Sequence, residues 1–259
     1  MSRNINRNFL DQVISSSFIK LVLDNHNSYL TTKGLNFNWG IVWNMLNPLI
    51  IVIGFAVLFS TGIRGQGRDL EYFLFLILFW FGFSQIVNKC INFKPKPFLI
   101  DKKNLNFLIL ITAETVSQVI PLFIRFLLCA FAMIFLGYEL NLYHLTYCFI
   151  LISLFAFFYG CIMRSMINEN SFLSDAHGFV ITGLFFLSSI LISVPLLPEN
   201  IRDILLYNPL VHLFEWTKYP TTGIFYEFID LNYFLSFLFW MVILAPILLK
   251  IYLNRLDKT

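Results

Sequence analysis

Six long apolar segments alternate with short polar connections along this chain. A segment of about 20 predominantly apolar residues is long enough to cross a lipid bilayer as a helix. The predicted spans cover residues 39–60, 72–88, 118–136, 142–163, 178–197 and 231–249. With 58% hydrophobic and only 13% charged residues, the chain has too few polar side chains to cover a water-soluble globule of this size. The pattern predicts an all-α integral membrane protein with six transmembrane helices.

The third apolar stretch, residues 105–136, is too long for one perpendicular crossing. Glu114 lies in its first third. Because of this charge, we expect the span to begin at about Gln118 and the residues before it to lie at the cytosolic interface.

The basic residues are distributed unevenly between the connections. Thirteen of the 18 Lys and Arg residues lie in the terminal segments and in the connections after the second and fourth spans, four lie in the other connections, and Arg125 lies within a span. Connections rich in Lys and Arg tend to stay in the cytoplasm. Both termini are therefore predicted to be cytoplasmic.

Residues 1–38 are predicted to form an N-terminal cytoplasmic interface segment, and residues 39–259 the transmembrane domain. Apolar residues recur at helical spacing in the first segment, at Phe9, Leu10, Val13, Ile14, Phe18, Leu21 and Val22. This spacing is typical of an amphipathic helix lying along a membrane surface. It fits a helix packed on its neighbours equally well.

The connection before the last span, residues 195–230, is too long for a turn and too apolar for a solvated loop. Four prolines, at 195, 198, 209 and 220, divide it into short pieces. We expect one or two short re-entrant or interfacial helices, which are stable at membrane depth only where protein or a water-filled path satisfies their backbone groups. Such helices suit an external gate, or a structural cap over the bundle.

The connection after the second span combines prolines, lysines and apolar residues. Two prolines stiffen the exit from the span, and a charged turn follows. A rigid knob of this kind suits docking into a cleft of a cytosolic partner, while an anchor for anionic lipid headgroups is the alternative. The residues concerned are Pro95, Lys96, Pro97, Asp101, Lys102 and Lys103.

The sequence shows no sign of a catalytic or metal site. The Cys and His residues lack metal-ligand spacing, and a glycine-rich phosphate loop and a Gly-x-Ser-x-Gly elbow are both missing. We therefore predict a transport subunit that is not itself an enzyme, with no cofactor or metal of its own and no nucleic-acid partner. The alternatives are a secondary transporter, although ion-coupling carboxylates are not evident, and a membrane-embedded glycosyl or acyl transferase, for which the isolated His144 and Glu139 are a poor catalytic pair.

Two motifs give the chain a family resemblance. Residues 39–49, Trp-Gly-Ile-Val-Trp-Asn-Met-Leu-Asn-Pro-Leu, resemble the Gly-x-x-Trp-x-x-Leu-x-Pro signature that opens the first span of ABC transporter permeases exporting bacterial polysaccharides. Residues 208–212, Asn-Pro-Leu-Val-His, followed by Glu215, resemble the Asn-Pro-Leu element before the last span of these permeases. The likeness is strongest to capsule-export members, and the order of the predicted parts is similar along almost the whole chain.

The resemblance implies a homodimer in the bacterial inner membrane, bound to two copies of a cytosolic ATP-binding subunit that carries the ATP and Mg²⁺. It implies export of a lipid-linked capsular or other cell-surface polysaccharide from cytoplasm to periplasm, with periplasmic and outer-membrane export proteins as further partners. The segment matching residues 95–104 would face the ATPase. The external gate would include Asn208, Pro209, His212 and Glu215.

A polysaccharide path should combine aromatic rings that stack on sugars with hydrogen-bonding groups. Trp39 and Trp43, one helical turn apart at the predicted cytoplasmic start of the first span, are candidates for this path, although interfacial anchoring also explains them. Arg125 is the third candidate, because a charge inside a span must face a partner or an aqueous path. It could contact an anionic substrate, or bond to a neighbouring helix carbonyl or to Gln118.

Overall fold

The computed structural model describes residues 22, 70–93, 107–135, 137, 139–167, 171–191, 194, 197–222 and 226–256. Among these residues the regular secondary structure is entirely helical. The helices are α1 (Leu70–Ile91), α2 (Phe107–Phe135), α3 (Leu142–Ile167), α4 (Ser171–Phe186), α5 (Glu199–Leu205), α6 (Pro209–Thr222) and α7 (Leu231–Leu256). Four of them, α1, α2, α3 and α7, are long and apolar enough to cross a membrane. The prediction of a helical, multi-pass membrane protein is therefore confirmed.

Helices α1, α3 and α7 correspond to the second, fourth and sixth predicted spans. Each extends a few residues beyond the apolar run that predicted it. The first predicted span, residues 39–60, lies outside the described residues, so the count of six spans stays a prediction.

Helix α2 is continuous through the point where its span was predicted to begin. It runs for 29 residues with Pro121 inside it, and its apolar part covers Ile109–Phe135. The boundary expected at Gln118 rested on the charge of Glu114, but Lys89 at the end of α1 pairs with this carboxylate at 3.0 Å. Because the charge is paired, the helix passes residue 114 without an isolated ion. The point at which α2 enters the membrane stays a prediction.

Helix α4 is too short for the fifth predicted span. It ends at Phe186 after 16 residues, about 24 Å at 1.5 Å per residue, against about 30 Å for the hydrocarbon core of a bilayer. Residues 187–191 form turns and bends, and Ser189 has a φ of 59°, a left-handed conformation that is uncommon outside glycine. The prediction of one continuous helix over residues 178–197 is wrong, because the backbone leaves the helical conformation halfway along it.

The core lies where the long helices pack together. The ring of Phe126 in α2 lies 5.8 Å from that of Phe75 in α1 and 5.5 Å from that of Phe149 in α3, between centroids. Helices α1 and α3 approach closely at Gly160, where a Cβ atom would lie 2.6 Å from the Cβ of Cys90. The absence of a side chain at residue 160 therefore lets these two helices pack.

The described helices define two ends of the bundle. At the first, called the Arg164 end, the last turns of α1, α3 and α7 meet through hydrogen bonds from Arg164 to Ile91 and Tyr252. At the other, called the Glu215 end, α6 contacts the first turns of α3 and α7 through Trp216 and His212. Because α1, α3 and α7 end together, they run in the same direction, which is the relation predicted for alternate spans.

Val22 is the described residue of the N-terminal segment. It is helical and buried, and it packs with Leu110 and Ala113 near the start of α2. This contact places residue 22 at the Arg164 end, next to the Lys89–Glu114 ion pair. An amphipathic helix over the rest of residues 1–38 stays a prediction.

Candidate functional site at the Glu215 end

The segment predicted as a gate contains two short helices, α5 and α6. Asn208 begins α6, because its side-chain oxygen accepts the N–H of Leu210 at 3.0 Å. Pro209 occupies the first helical position, where no N–H donor is needed. The side-chain amide of Asn208 also donates to the carbonyl of Leu187 at 3.1 Å. The Asn-Pro pair therefore starts one helix and ties it to the turn that follows α4.

His212 links three parts of this end. Its Nε2 lies 2.8 Å from the carbonyl oxygen of Leu206, beyond α5, and its Nδ1 accepts the N–H of Asp230 at 3.0 Å, just before α7. Since Nδ1 accepts a hydrogen bond, the proton of the neutral ring is on Nε2, which donates to Leu206. The buried ring also lies 4.9 Å from that of Tyr233, between centroids. His212 is thus a structural bridge in this arrangement.

Glu215 is the buried carboxylate of the site. Its side chain is 2% exposed and pairs with Lys218 at 2.8 Å. The same carboxylate oxygen accepts the N–H of Val194 at 3.0 Å, and Lys218 donates further to the carbonyl of Ser189 at 3.2 Å. Because a buried carboxylate is tolerated only when it is paired and hydrogen-bonded, the two side chains support each other.

Asn208, Glu215 and Lys218 therefore bond to backbone groups in residues 187–194. Two of these groups, the carbonyls of Leu187 and Ser189, lie in the turns and bends that follow α4, where a helix does not satisfy them. We call the three side chains, with His212 and the backbone groups that they bond, the Glu215 network.

Aromatic side chains connect the network to α3. The ring of His144 lies 4.1 Å from that of Trp216 and its Nε2 is 3.0 Å from the Trp216 carbonyl oxygen. Tyr147, one turn further along α3, meets the same indole edge-on at 5.7 Å. Asn141 caps α3 by accepting the N–H of His144. His144 is therefore held by α6, and Glu139 takes no part in these contacts.

The structure brings the four predicted gate residues to one end of the bundle. It adds Lys218, Trp216, Ser189 and Val194, which sequence reasoning missed. The spacing of Glu215 and Lys218, three residues apart on a helix, is a signal that predicts their pairing. The backbone of Ser189 and Val194 gave no comparable signal.

Arg125 lies elsewhere, within α2. It is 1% exposed, and its Nη1 lies 3.4 Å from the side-chain oxygen of Gln85 in α1. The predicted structural partner, Gln118, is buried with its side-chain nitrogen unbonded among the described residues. Of the alternatives predicted for Arg125, the structure shows a structural contact with a neighbouring helix, made through the Gln85 side chain of α1.

The remaining predicted site residues lie outside the described residues. They are Trp39 and Trp43 of the predicted path, and Pro95, Lys96, Pro97, Asp101, Lys102 and Lys103 of the predicted docking segment.

A protein-family model described as ABC-2 type transporter matches residues 32–220. The chain belongs to the ABC-2 type transporter family. Comparison with curated proteins gives no match. An ABC-2 permease is the membrane component of an ABC transporter, so it works with an ATP-binding subunit. Membership favours ATP-driven transport over the secondary transporter and the transferase that the sequence alone left open.

The four side chains of the Glu215 network of this ABC-2 permease lie within the matched region, which ends at residue 220. The Asp230 N–H that donates to His212 lies beyond it, just before α7. Its polar groups bond to backbone and to each other, an arrangement that holds helices in place. Among the described residues, no three His, Cys, Asp or Glu side chains lie close enough to hold a metal ion. The site is suited to fixing short helices at the end of a bundle, and to releasing them when its bonds break.

Proposed function

We propose that this ABC-2 permease exports a lipid-linked cell-surface polysaccharide, most specifically a capsular polymer, from cytoplasm to periplasm. The observation that carries the proposal is the arrangement of residues 208–215. The motif residues that resemble polysaccharide-export permeases are the ones that start α6 and anchor it, through Asn208 and Glu215. The substrate class comes from that resemblance and from the motif at residues 39–49.

In the proposed assembly, two copies of this chain in the bacterial inner membrane bind two copies of the ATP-binding subunit. Both termini face the cytoplasm, and ATP and Mg²⁺ are held by the partner. Residues 95–104 dock that partner, and Trp39 and Trp43 belong to the path between the two copies. Arg125, which is buried against α1, supports this path from within one copy. Periplasmic and outer-membrane proteins receive the polymer.

Helices α5 and α6 form the external gate in this proposal, with different roles. Helix α6 is the fixed part, because Leu213 and Phe214 are fully buried and Glu215 is anchored. Helix α5 has only 7 residues and exposes Ile201 and Ile204. It can move about the connection at residues 206–208 without withdrawing a transmembrane helix from the bilayer.

Removal of this chain from its native cell should abolish surface display of one polysaccharide, because a lipid-linked polymer has no other route through the bilayer. The measurement is surface glycan, with lipid-linked polymer extracted from the membrane fraction. We expect surface polymer to disappear, lipid-linked polymer to accumulate, and the wild-type chain to restore export. A partner subunit unable to hydrolyse ATP is the matched control and should reproduce the loss. Unchanged surface glycans in the deletion strain would reject the polysaccharide assignment.

Charge reversal in the docking segment should uncouple hydrolysis from export. Lys102→Glu with Lys103→Glu places negative charge where the proposal puts the partner's cleft, and a coupling loss of about tenfold in polymer exported per ATP is expected. Membrane insertion and the amount of chain should not change, and Lys258→Glu, in the predicted cytoplasmic C-terminal segment, is the control. Equal coupling in both variants would remove residues 95–104 from the interface.

A further inference from the structure

The last turn of α1 is held by side chains from α2 and α3, and the side chain from α3 also bonds to α7. Lys89 pairs with Glu114 of α2 at 3.0 Å. Arg164 of α3 donates from Nη1 to the carbonyl of Ile91 at 2.8 Å, and from Nη2 to the hydroxyl of Tyr252 in α7 at 3.1 Å. The end of α1 is thus connected to each of the other long helices described.

Arg164 fits this position because its planar guanidinium presents several donors in a fixed fork. The Ile91 carbonyl is among those at a helix end that lack an intrahelical partner, and a positive charge near that end is favourable. The guanidinium carbon also lies 5.4 Å from the ring centroid of Tyr252, which is 4% exposed. If Ile91 is displaced, either a short charge-assisted hydrogen bond breaks or Arg164 and Tyr252 follow.

These contacts lie beside the segment proposed to dock the ATP-binding subunit. Ile91 precedes Lys94 by three residues. Between them, the N–H groups of Asn92 and Phe93 donate back to the carbonyls of Asn88 and Cys90, so they continue the end of α1. The last turn of α1 is therefore the described part of the chain that leads directly into the proposed docking segment.

We propose that Arg164 is a positioning residue for transport. By joining the Arg164 ends of α1, α3 and α7, it makes these helix ends move as one body when the partner binds ATP. The inference rests on the proposed docking of residues 95–104, but not on the identity of the substrate. If the Arg164 contacts only stabilised the fold, an Arg164 variant would be less stable, but the distance between these helix ends would not depend on nucleotide.

The first test is the distance between spin labels at Asn92 and Lys250, in the full chain assembled with its ATP-binding subunit in lipid nanodiscs. Both residues are exposed, at the Arg164 ends of α1 and α7, and the native cysteines are buried. With Arg164 intact, the distance should be the same with and without ATP and vanadate. In Arg164→Lys, which keeps the charge and loses the fork, nucleotide should shift it by about 1–2 Å. A distance that responds to nucleotide with Arg164 intact, or that does not respond in Arg164→Lys, overturns the proposal.

The second test is polymer exported per ATP hydrolysed, in proteoliposomes. Arg164→Lys should lower this ratio about five- to tenfold. Tyr252→Phe, which keeps the ring and loses the hydroxyl, should lower this ratio less. The double variant Arg164→Lys with Tyr252→Phe should lower the ratio no further than Arg164→Lys alone. Lys250→Cys, the label site, is the control for a changed cation at the same end and should keep the ratio.

Two further outcomes are separable. If Arg164→Lys does not assemble with the ATP-binding subunit, both tests are made on Tyr252→Phe instead. A label distance and a ratio of polymer to ATP that equal those of the unmodified complex would then overturn the proposal. If the unmodified complex hydrolyses ATP and exports no polysaccharide, the proposed function fails, while the label distance still tests the role of Arg164.

Discussion

Lys218→Met should destabilise this permease by about 3–5 kcal/mol, because it leaves a buried carboxylate without its charge partner. The Glu215 side chain is 2% exposed, and Lys218 lies 2.8 Å from it. Loss of the ammonium also removes the donor to the Ser189 carbonyl. The measurement is thermal unfolding in detergent at one fixed scan rate, because membrane proteins often unfold irreversibly.

Variants of both partners separate charge from hydrogen bonding. Glu215→Gln with Lys218→Met removes both charges and keeps an acceptor for the Val194 N–H, so most of the lost stability should return. The exchange Glu215→Lys with Lys218→Glu keeps the charges but presents a donor to Val194 and an acceptor to Ser189, so it should remain destabilised. An exchange variant as stable as the unmodified protein would show that only the charges matter. Glu199→Gln, in an exposed ion pair with Arg202, is the control and should not change the unfolding temperature.

Gly160→Leu should prevent α1 and α3 from packing. Even a Cβ atom at residue 160 would lie 2.6 Å from the Cβ of Cys90 and 3.3 Å from the Cα of Val87, and the second of these is backbone, which cannot rotate away. Gly160→Ala should therefore cost about 1–3 kcal/mol as an overpacked site, and leucine more. The readout is the fraction of chain that elutes as a single species from a sizing column in detergent, with its unfolding temperature.

Two comparisons test whether the clash at residue 160 is the cause of the lost stability. Gly183 in α4 has open space where its Cβ would lie, so Gly183→Ala should be neutral or slightly stabilising. Cys90→Gly removes the closest atom and should partly rescue Gly160→Ala, though not Gly160→Leu. Equal effects of alanine at residues 160 and 183 would contradict the close approach of α1 and α3.

Apolar runs predicted the long helices well and their interruptions poorly. Helices α1, α3 and α7 follow from composition, because any helix in lipid must be apolar over that length. The pairing of Glu114 within α2 could not be predicted, because its partner is Lys89, 25 residues away, and a pairing over that separation has no local pattern. The end of α4 was missed because a break among apolar residues keeps the same composition as a helix.

The candidate site was predictable in its residues and not in its contacts. Asn208 and Pro209 carry local rules for starting a helix, and the structure shows them at the start of α6. What Glu215 binds could not be read from the sequence, because the backbone N–H of Val194 lies 21 residues away and a contact over that separation has no local pattern. Arg125 was expected to need a partner, and Gln85 supplies it from another helix.

The pairing of Arg164 with Tyr252 has a consequence for biosynthesis. Helix α7 leaves the ribosome after every other described helix, and until it inserts, Arg164 lacks its hydroxyl acceptor and His212 lacks the N–H of Asp230. Both ends of the bundle therefore stay incomplete until the same late step. A chain stalled before α7 would expose Arg164 and His212, each with one partner missing, at opposite ends of the bundle.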